Sequence, residues 1–243
     1  MNEKLNIFIG FDSSNYGQEL AYEVCKRSIE KNCKNKHKLV FHKMVKSEMI
    51  ERNIFKRTDK DGATEFTYTR FFVPYLSGYK GYSLFCDSDF LWLCDVEELF
   101  NQYIDESKAL SCVYHQYQNC NDRLKMDNQV QLWYPRKNWS SLILFNNSHP
   151  STCKLTLNIV NTQSPAWLHR FEWANDDEII EIPKDYNYLV DYYYDGNIKA
   201  LHYTDGGPWH PGYENVSYGN LWLEYLNVEE KERMEFLRIT NYK

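Results

Sequence analysis

The sequence predicts an α/β chain built on a mixed sheet flanked by helices. Three observations carry that expectation. Short apolar runs alternate with stretches of helical spacing, the order that builds βαβ units. One apolar run, Tyr82-Ser83-Leu84-Phe85-Cys86, ends abruptly at Asp87 and Asp89, and open α/β sheets bind ligands where strands end. The 243 residues, 43% apolar and 26% charged, suit one sizeable core. No repeat or domain boundary is visible, so residues 1–243 read as one domain.

In chain order, Leu5 to Phe11 (LNIFIGF) reads as a buried strand ending at Gly10-Phe11-Asp12. From Tyr16 to about Lys31, Leu20, Ala21, Val24, Cys25, Ser28 and Ile29 recur at helical spacing. A second strand follows near Leu39 to His42, completing βαβ. No Gly-x-Gly-x-x-Gly follows the first strand, so the dinucleotide fingerprint is absent. Asp12 and Asn15 are either turn formers or hydrogen-bonding partners for a base or ribose. Thr64 to Leu76 reads as a helix in which Arg70 stands among Phe66, Tyr68, Phe71, Phe72 and Tyr75. Such an arginine either snorkels to water or reaches a carboxylate or phosphate.

Asp87 and Asp89 repel each other at a strand end and call for a cation. Both ends of an Asp-x-Asp reach one hard divalent ion, with substrate phosphates filling other positions. The plainer alternative is two exposed turn aspartates, but apolar Phe90-Leu91-Trp92 resumes at once. Asp95 caps a short helix to Phe100, and Ala109 to Tyr114 is another strand. Gln116 to Asn138 is long, polar and aromatic, as lids and binding loops are. Trp139 to Phe145 (WSSLILF) is a strand ending at Asn146-Asn147, and a helix begins at Ser148-His149-Pro150. Asp176, Asp177 and Glu178 open a short helix, where acids either complement its dipole or form a substrate-facing cluster. Tyr186 to Tyr193 and Ile198 to Tyr203 read as strands. His202 at the second strand's end is a candidate third metal ligand. Glycines 206 and 207 let backbone approach a phosphate. Leu221 to Ile239 is an amphipathic tail helix.

Composition excludes some classes. A net charge of −6 leaves no electrostatic footprint for nucleic acid. No run of 18 apolar residues predicts a membrane span. Seven cysteines, an odd number with no Cys-x-x-Cys, read as reduced thiols in a cytoplasmic setting. The start, Met-Asn-Glu-Lys, lacks a signal peptide's apolar core. Aromatics at 16% suit both thick core packing and sugar or base stacking.

Four pieces in order resemble glycosyltransferase family 8 and its GT-A-fold relatives: Gly10-Phe11-Asp12 with Ser14, Asn15 and Tyr16; Thr67-Tyr68-Thr69-Arg70 with Tyr75-Leu76; Leu84 to Leu91 around Asp87-Ser88-Asp89; and His202-Tyr203-Thr204 with Gly206, Pro208 and Trp209. The resemblance implies a GT-A, Rossmann-like mixed sheet. It implies a nucleotide-sugar donor, usually a UDP-hexose, bound with Mn²⁺ or Mg²⁺, and a glycan or other hydroxyl acceptor. Asp87, Asp89 and His202 would hold the metal, and Arg70 would brace Asp87 or the donor sugar. Gly10, Phe11, Asp12 and Asn15 would meet the nucleoside, while Ser88, Asn146, Gly206, Gly207 and Trp209 would complete the donor site. Asp176 and Asp177 would face the donor sugar at the reaction centre. Transfer with retention is the family expectation. Gly207 stands where the family motif has a lysine, and His202 to Pro208 is one residue shorter. Two other classes share features: haloacid-dehalogenase-type phosphatases, which follow Asp-x-Asp with Thr or Gly-Thr, and carbohydrate-binding modules without turnover.

Overall fold

The computed structural model describes residues 4–14, 16–58, 64–116 and 136–241. Asn15 and most of the long polar stretch, with Arg123, Lys125, Asp127, Gln129, Gln131 and Trp133, lie outside the described residues. Among the described residues the strands are β1 (Leu5–Gly10), β2 (Leu39–Met44), β3 (Tyr82–Cys86), β4 (Phe90–Trp92), β5 (Leu110–Val113), β6 (Leu142–Asn146), β7 (Ile179–Ile182), β8 (Tyr188–Leu189) and β9 (Ala200–His202). They form a six-stranded sheet ordered β2-β1-β3-β6-β5-β7 and a three-stranded sheet ordered β4-β9-β8.

In the large sheet β6 alone runs against its neighbours, antiparallel to both β3 and β5. β1 is parallel to β2 and β3, and β5 is parallel to β7. All the strands but β6 therefore end on the same edge. Alternation along the buried strands feeds two layers. Ile7, Ile9, Leu84, Cys86, Leu142 and Leu144 face Tyr22, Cys25 and Ile29 of helix α1 (Tyr16–Asn32) and Phe90 and Trp92 of the small sheet. Phe8, Phe85, Ile143 and Phe145 face Phe71, Phe72 and Val73. A third core joins Leu20, Ala21 and Val24 of α1 to Leu91, Leu201, Tyr203, Trp209 and Trp222.

Helix α1 also fixes β4 by hydrogen bonds. Trp92 donates its backbone N–H to Ser28 Oγ at 3.0 Å, and Asn32 Nδ2 donates to Trp92 O at 2.9 Å. The small sheet is thereby docked on the same helix that covers the large one.

Several elements differ from the sequence expectation. The helix expected over Thr64 to Leu76 is broken into Phe66–Thr69, a 3-10 turn Arg70–Phe72 and Val73–Leu76. Pro74 has no N–H to give Arg70 O an α-type bond, and Val73 N–H bonds that carbonyl in the 3-10 manner instead. Trp139–Ser141 is a 3-10 turn before β6, not strand. The strand expected over Tyr186 to Tyr193 shrinks to two residues, between a 3-10 turn (Lys184–Asn187) and Asp191 at φ +63. The tail divides into Gly219–Leu223 and Val228–Asn241. Cysteines 25, 33, 86, 94, 112 and 153 are free. Among the described residues no helix is long and apolar enough to cross a membrane.

Gly10 closes β1 because a Cβ there would stand 2.8 Å from Phe66 Cγ. Gly10→Ala should therefore destabilise the fold by about 1–3 kcal/mol, as overpacking does. Chemical denaturation measures this, and an unchanged midpoint would show that Phe66 yields freely.

Candidate metal centre and active site

The Asp-x-Asp stretch is the crossing between the two sheets. Cys86 ends β3 opposite Ile9 and Leu142. Asp87 still donates its backbone N–H to Ser141 O at 3.0 Å. After a two-residue turn the chain enters β4, and Asp89 O accepts from Tyr203 N–H at 3.0 Å. Each aspartate backbone is thus held by a different sheet.

His202 ends β9 directly opposite Phe90, and the two rings stack at 4.5 Å and 19°. That fixes the imidazole with Nε2 3.4 Å from Asp89 Oδ1. One ligand atom from each of Asp87, Asp89 and His202 lies within 4.8 Å of the others. Asp89 Oδ1 is buried and accepts no hydrogen bond among the described residues. A buried anionic oxygen without a donor is costly, and a cation satisfies it. Two carboxylates and an imidazole suit Mn²⁺ and similar ions. The residues fit a divalent metal.

Arg70 is 5% exposed and fully engaged. Nη2 meets Asp87 Oδ1 at 3.0 Å, Nη1 donates to Ser140 O at 2.7 Å, and Nε donates to Phe66 O at 3.3 Å. Its guanidinium lies 5.1 Å from the Phe85 ring centroid. Of the two targets expected for Arg70, a carboxylate or a phosphate, the structure shows the carboxylate. Behind it, Ser140 Oγ pairs with His169 Nδ1 at 2.7 Å. Burial, then Arg70 and Arg57, pushes the His169 pKa down to about 3. His115, hydrogen-bonded to Tyr193 OH, is pushed down to about 3 by burial and then by His202.

Other expected site residues sit as follows. Asp12 accepts Ser14 N–H at 2.9 Å and Glu65 N–H at 3.2 Å, so it pins the β1 turn to the Arg70 helix. Phe11 is core, with Lys43 Nζ 3.7 Å from its ring centroid. Ser88 is buried, its hydroxyl without a partner among the described residues. Gly206 adopts φ +146, and its N–H is committed to Tyr203 O at 3.0 Å. A Cβ on Gly207 would fall 2.0 Å from Trp209 Cζ3. Trp209 is itself buried against Tyr203 and Trp222, as core rather than donor-facing surface.

Two expectations are overturned by strand direction. Asn146 pairs with Tyr82, the first residue of β3, whereas Asp87 follows the last. It therefore stands about 16 Å along the strand from Asp87. Its amide holds the 106–108 loop, donating to Glu106 O and Lys108 O. Asp176 and Asp177 precede β7, whose first residue pairs with Leu110, itself opposite Phe145. They too lie at the edge where β3 begins. Asp176 pairs with Arg136, and Asp177 O accepts from Lys108 Nζ. Glu178 completes a capping box with Asn175. Burial would raise the Glu178 pKa, but the Asn175 N–H and the Ser151 hydroxyl lower it overall.

Sequence reasoning missed Ser141 and Asn187, which bond Asp87 and His202, and Ser140 and His169, which stand behind Arg70. The Ser140-Ser141 pair just before a continuous apolar strand was a usable signal.

No protein-family model matches the chain. Protein CDI of Arabidopsis thaliana is 39% identical over 233 residues, which cover 93% of this chain and 87% of that protein. The chain belongs to the family of Protein CDI. Among solved structures, the bifunctional glycosyltransferase WbbM in its apo form aligns at TM-score 0.63 and 14% identity, over 98% of this chain and 52% of its own. This chain thus spans about half of WbbM. The galactosyltransferase LgtC, in complex with donor and acceptor sugar analogues, aligns at TM-score 0.54 and 13% identity, over 94% of this chain and 99% of its own. The fold is that of GT-A-type glycosyltransferases.

Acid should weaken the fold through His169. Its folded value lies below its unfolded one, so the unfolded chain binds more protons between them. Stability is fully present above about pH 6.5 and falls as pH drops toward about 3. His169→Gln should flatten this slope in denaturation midpoints across that window, and an unchanged slope would assign it to other groups.

Proposed function

We propose that the chain is a metal-dependent glycosyltransferase moving a hexose from a nucleoside-diphosphate sugar, UDP-linked, to a hydroxyl of a glycan or other acceptor. The observation that carries this is the Asp87–Asp89–His202 cluster at the end of β3 within a GT-A-type fold. Mn²⁺ or Mg²⁺ held there would neutralise charge developing on the leaving diphosphate oxygen.

The chain's own groups prepare that site. Arg70 balances Asp87 and keeps its carboxylate from swinging away. Among the described residues Asp89 Oδ1 accepts no hydrogen bond, so it would be open to the cation. His202 contributes a nitrogen on a ring clamped by Phe90. We read transfer as retaining, because the Asp176–Glu178 cluster that an inverting enzyme could use as base lies at the opposite strand edge. The chain acts as one domain in this reading, and its free thiols suit the cytoplasm.

The test is release of UDP from UDP-hexoses, with and without Mn²⁺. Asp89→Asn should lower metal-dependent release by about a hundredfold or more, the scale for losing a charge-stabilising group. Arg70→Lys should lower it markedly, since lysine lacks the planar fork that joins Asp87 to Ser140. Near-wild-type turnover by Asp89→Asn would refute the metal-site reading. Asp176→Asn combined with Asp177→Asn should leave release within a fewfold of wild type, and a large loss would return those acids to the reaction centre.

A further inference from the structure

His202 is not held by the metal cluster alone. A line of buried polar groups runs from its other ring nitrogen to the turn before β6. Its hydrogens are determined by counting donors. Ser141 Oγ donates to Asn138 O at 2.7 Å, and a hydroxyl carries one hydrogen. Toward Asn187 it therefore accepts, from Asn187 Nδ2 at 2.9 Å. That turns Asn187 Oδ1 toward His202, 2.8 Å from Nδ1. An amide oxygen only accepts, so Nδ1 carries the proton. Nε2 then presents its lone pair on the side where Asp89 stands.

Asn187 is 0% exposed and His202 2%, so bulk water does not reach in to replace this contact. The same Ser141 that receives the Asn187 amide accepts the Asp87 backbone N–H through its carbonyl. Two of the three metal ligands are therefore referenced to one residue. Asn138, at the other end of the line, also donates to Thr204 Oγ1 at 3.3 Å, two residues past His202.

We propose that Asn187 is a positioning residue of the metal centre. It holds His202 in the Nδ1–H tautomer, with Nε2 offered to a divalent cation, and through Ser141 it fixes that ring relative to Asp87. Metal-ligating histidines commonly depend on such a partner, whose loss costs about 10–100-fold in metal affinity. The proposal rests on the metal-site reading above.

The test uses the full chain and Mn²⁺ alone, with free Mn²⁺ followed by electron paramagnetic resonance. Asn187→Leu, similar in size but without polar atoms, should bind Mn²⁺ about 10–100-fold more weakly. Asn187→Asp keeps an oxygen facing Nδ1 but loses the donor to Ser141, so its Mn²⁺ affinity should fall between those of Asn187→Leu and wild type. Melting of the metal-free variants separates a folding defect from a binding one. In the metal-free wild type at alkaline pH, imidazole ¹⁵N spectra should show His202 protonated on Nδ1, a readout that needs no variant. Equal Mn²⁺ affinity for folded Asn187→Leu and wild type, or an Nε2–H tautomer in the wild type, would overturn the proposal. Wild type that binds no Mn²⁺, with the Nδ1–H tautomer still present, would instead defeat the metal-site reading and leave only the ring's orientation.

Discussion

The contact between Arg70 and Asp87 is the constraint around which the active end of this fold is arranged. Two carboxylates one residue apart, both largely withdrawn from water, would repel each other if nothing balanced them. An arginine buried among Phe66, Phe71, Phe72 and Phe85 would be equally costly if unpaired. Each removes the other's penalty. The guanidinium also donates to Ser140 O and Phe66 O, so one side chain joins the broken helix, the end of β3 and the turn before β6. Among the described residues Asp89 Oδ1, the oxygen beside His202, accepts no hydrogen bond.

This balance works because the ligands stand on regular structure. Asp87 and Asp89 are anchored on different sheets, and β4 is fixed to helix α1 through Ser28 and Asn32. Phe90 opposes His202 in register, so a slip of the β4–β9 pair by one residue would turn the imidazole to the other face. Sites held by strands and a shared helix are more exact than sites carried by loops alone. The separation between the aspartates and His202 is thereby set by sheet geometry.

Much of this end was legible in the sequence. The β1–α1–β2 opening, the β3 run, the paired aspartates and the strand-end histidine all announce themselves through local pattern and an abrupt change of polarity. Strand order and direction do not. The resemblance would put Asn146, Asp176 and Asp177 at the donor site, yet the reversal of β6 and the parallel pairing of β7 with β5 carry them to the edge where β3 starts. Nothing in LILFN or NDDE records which end of the sheet it will occupy. Asn187 was hidden for the opposite reason. It is one polar residue in an aromatic run, and its importance comes from His202, fifteen residues later.

The loop after His202 shows how a departure from a motif is absorbed by packing. Where the resembling family carries a lysine, Gly207 leaves the space that the Trp209 ring fills, and a Cβ there would overlap that ring. Trp209 in turn contacts Tyr203 and Trp222, within the core that also receives α1. A lysine could not be restored at Gly207 without expelling a buried tryptophan. The glycine and the tryptophan are therefore one packing feature. Gly206 does not supply the missing donor, because its N–H is already bonded to Tyr203 O. Nor is Arg70 available, since its guanidinium is committed to Asp87, Ser140 and Phe66. In the proposed reading, neither the Gly206 N–H nor Arg70 would be free to meet a donor diphosphate, so a cation at Asp87, Asp89 and His202 would carry more of its neutralisation.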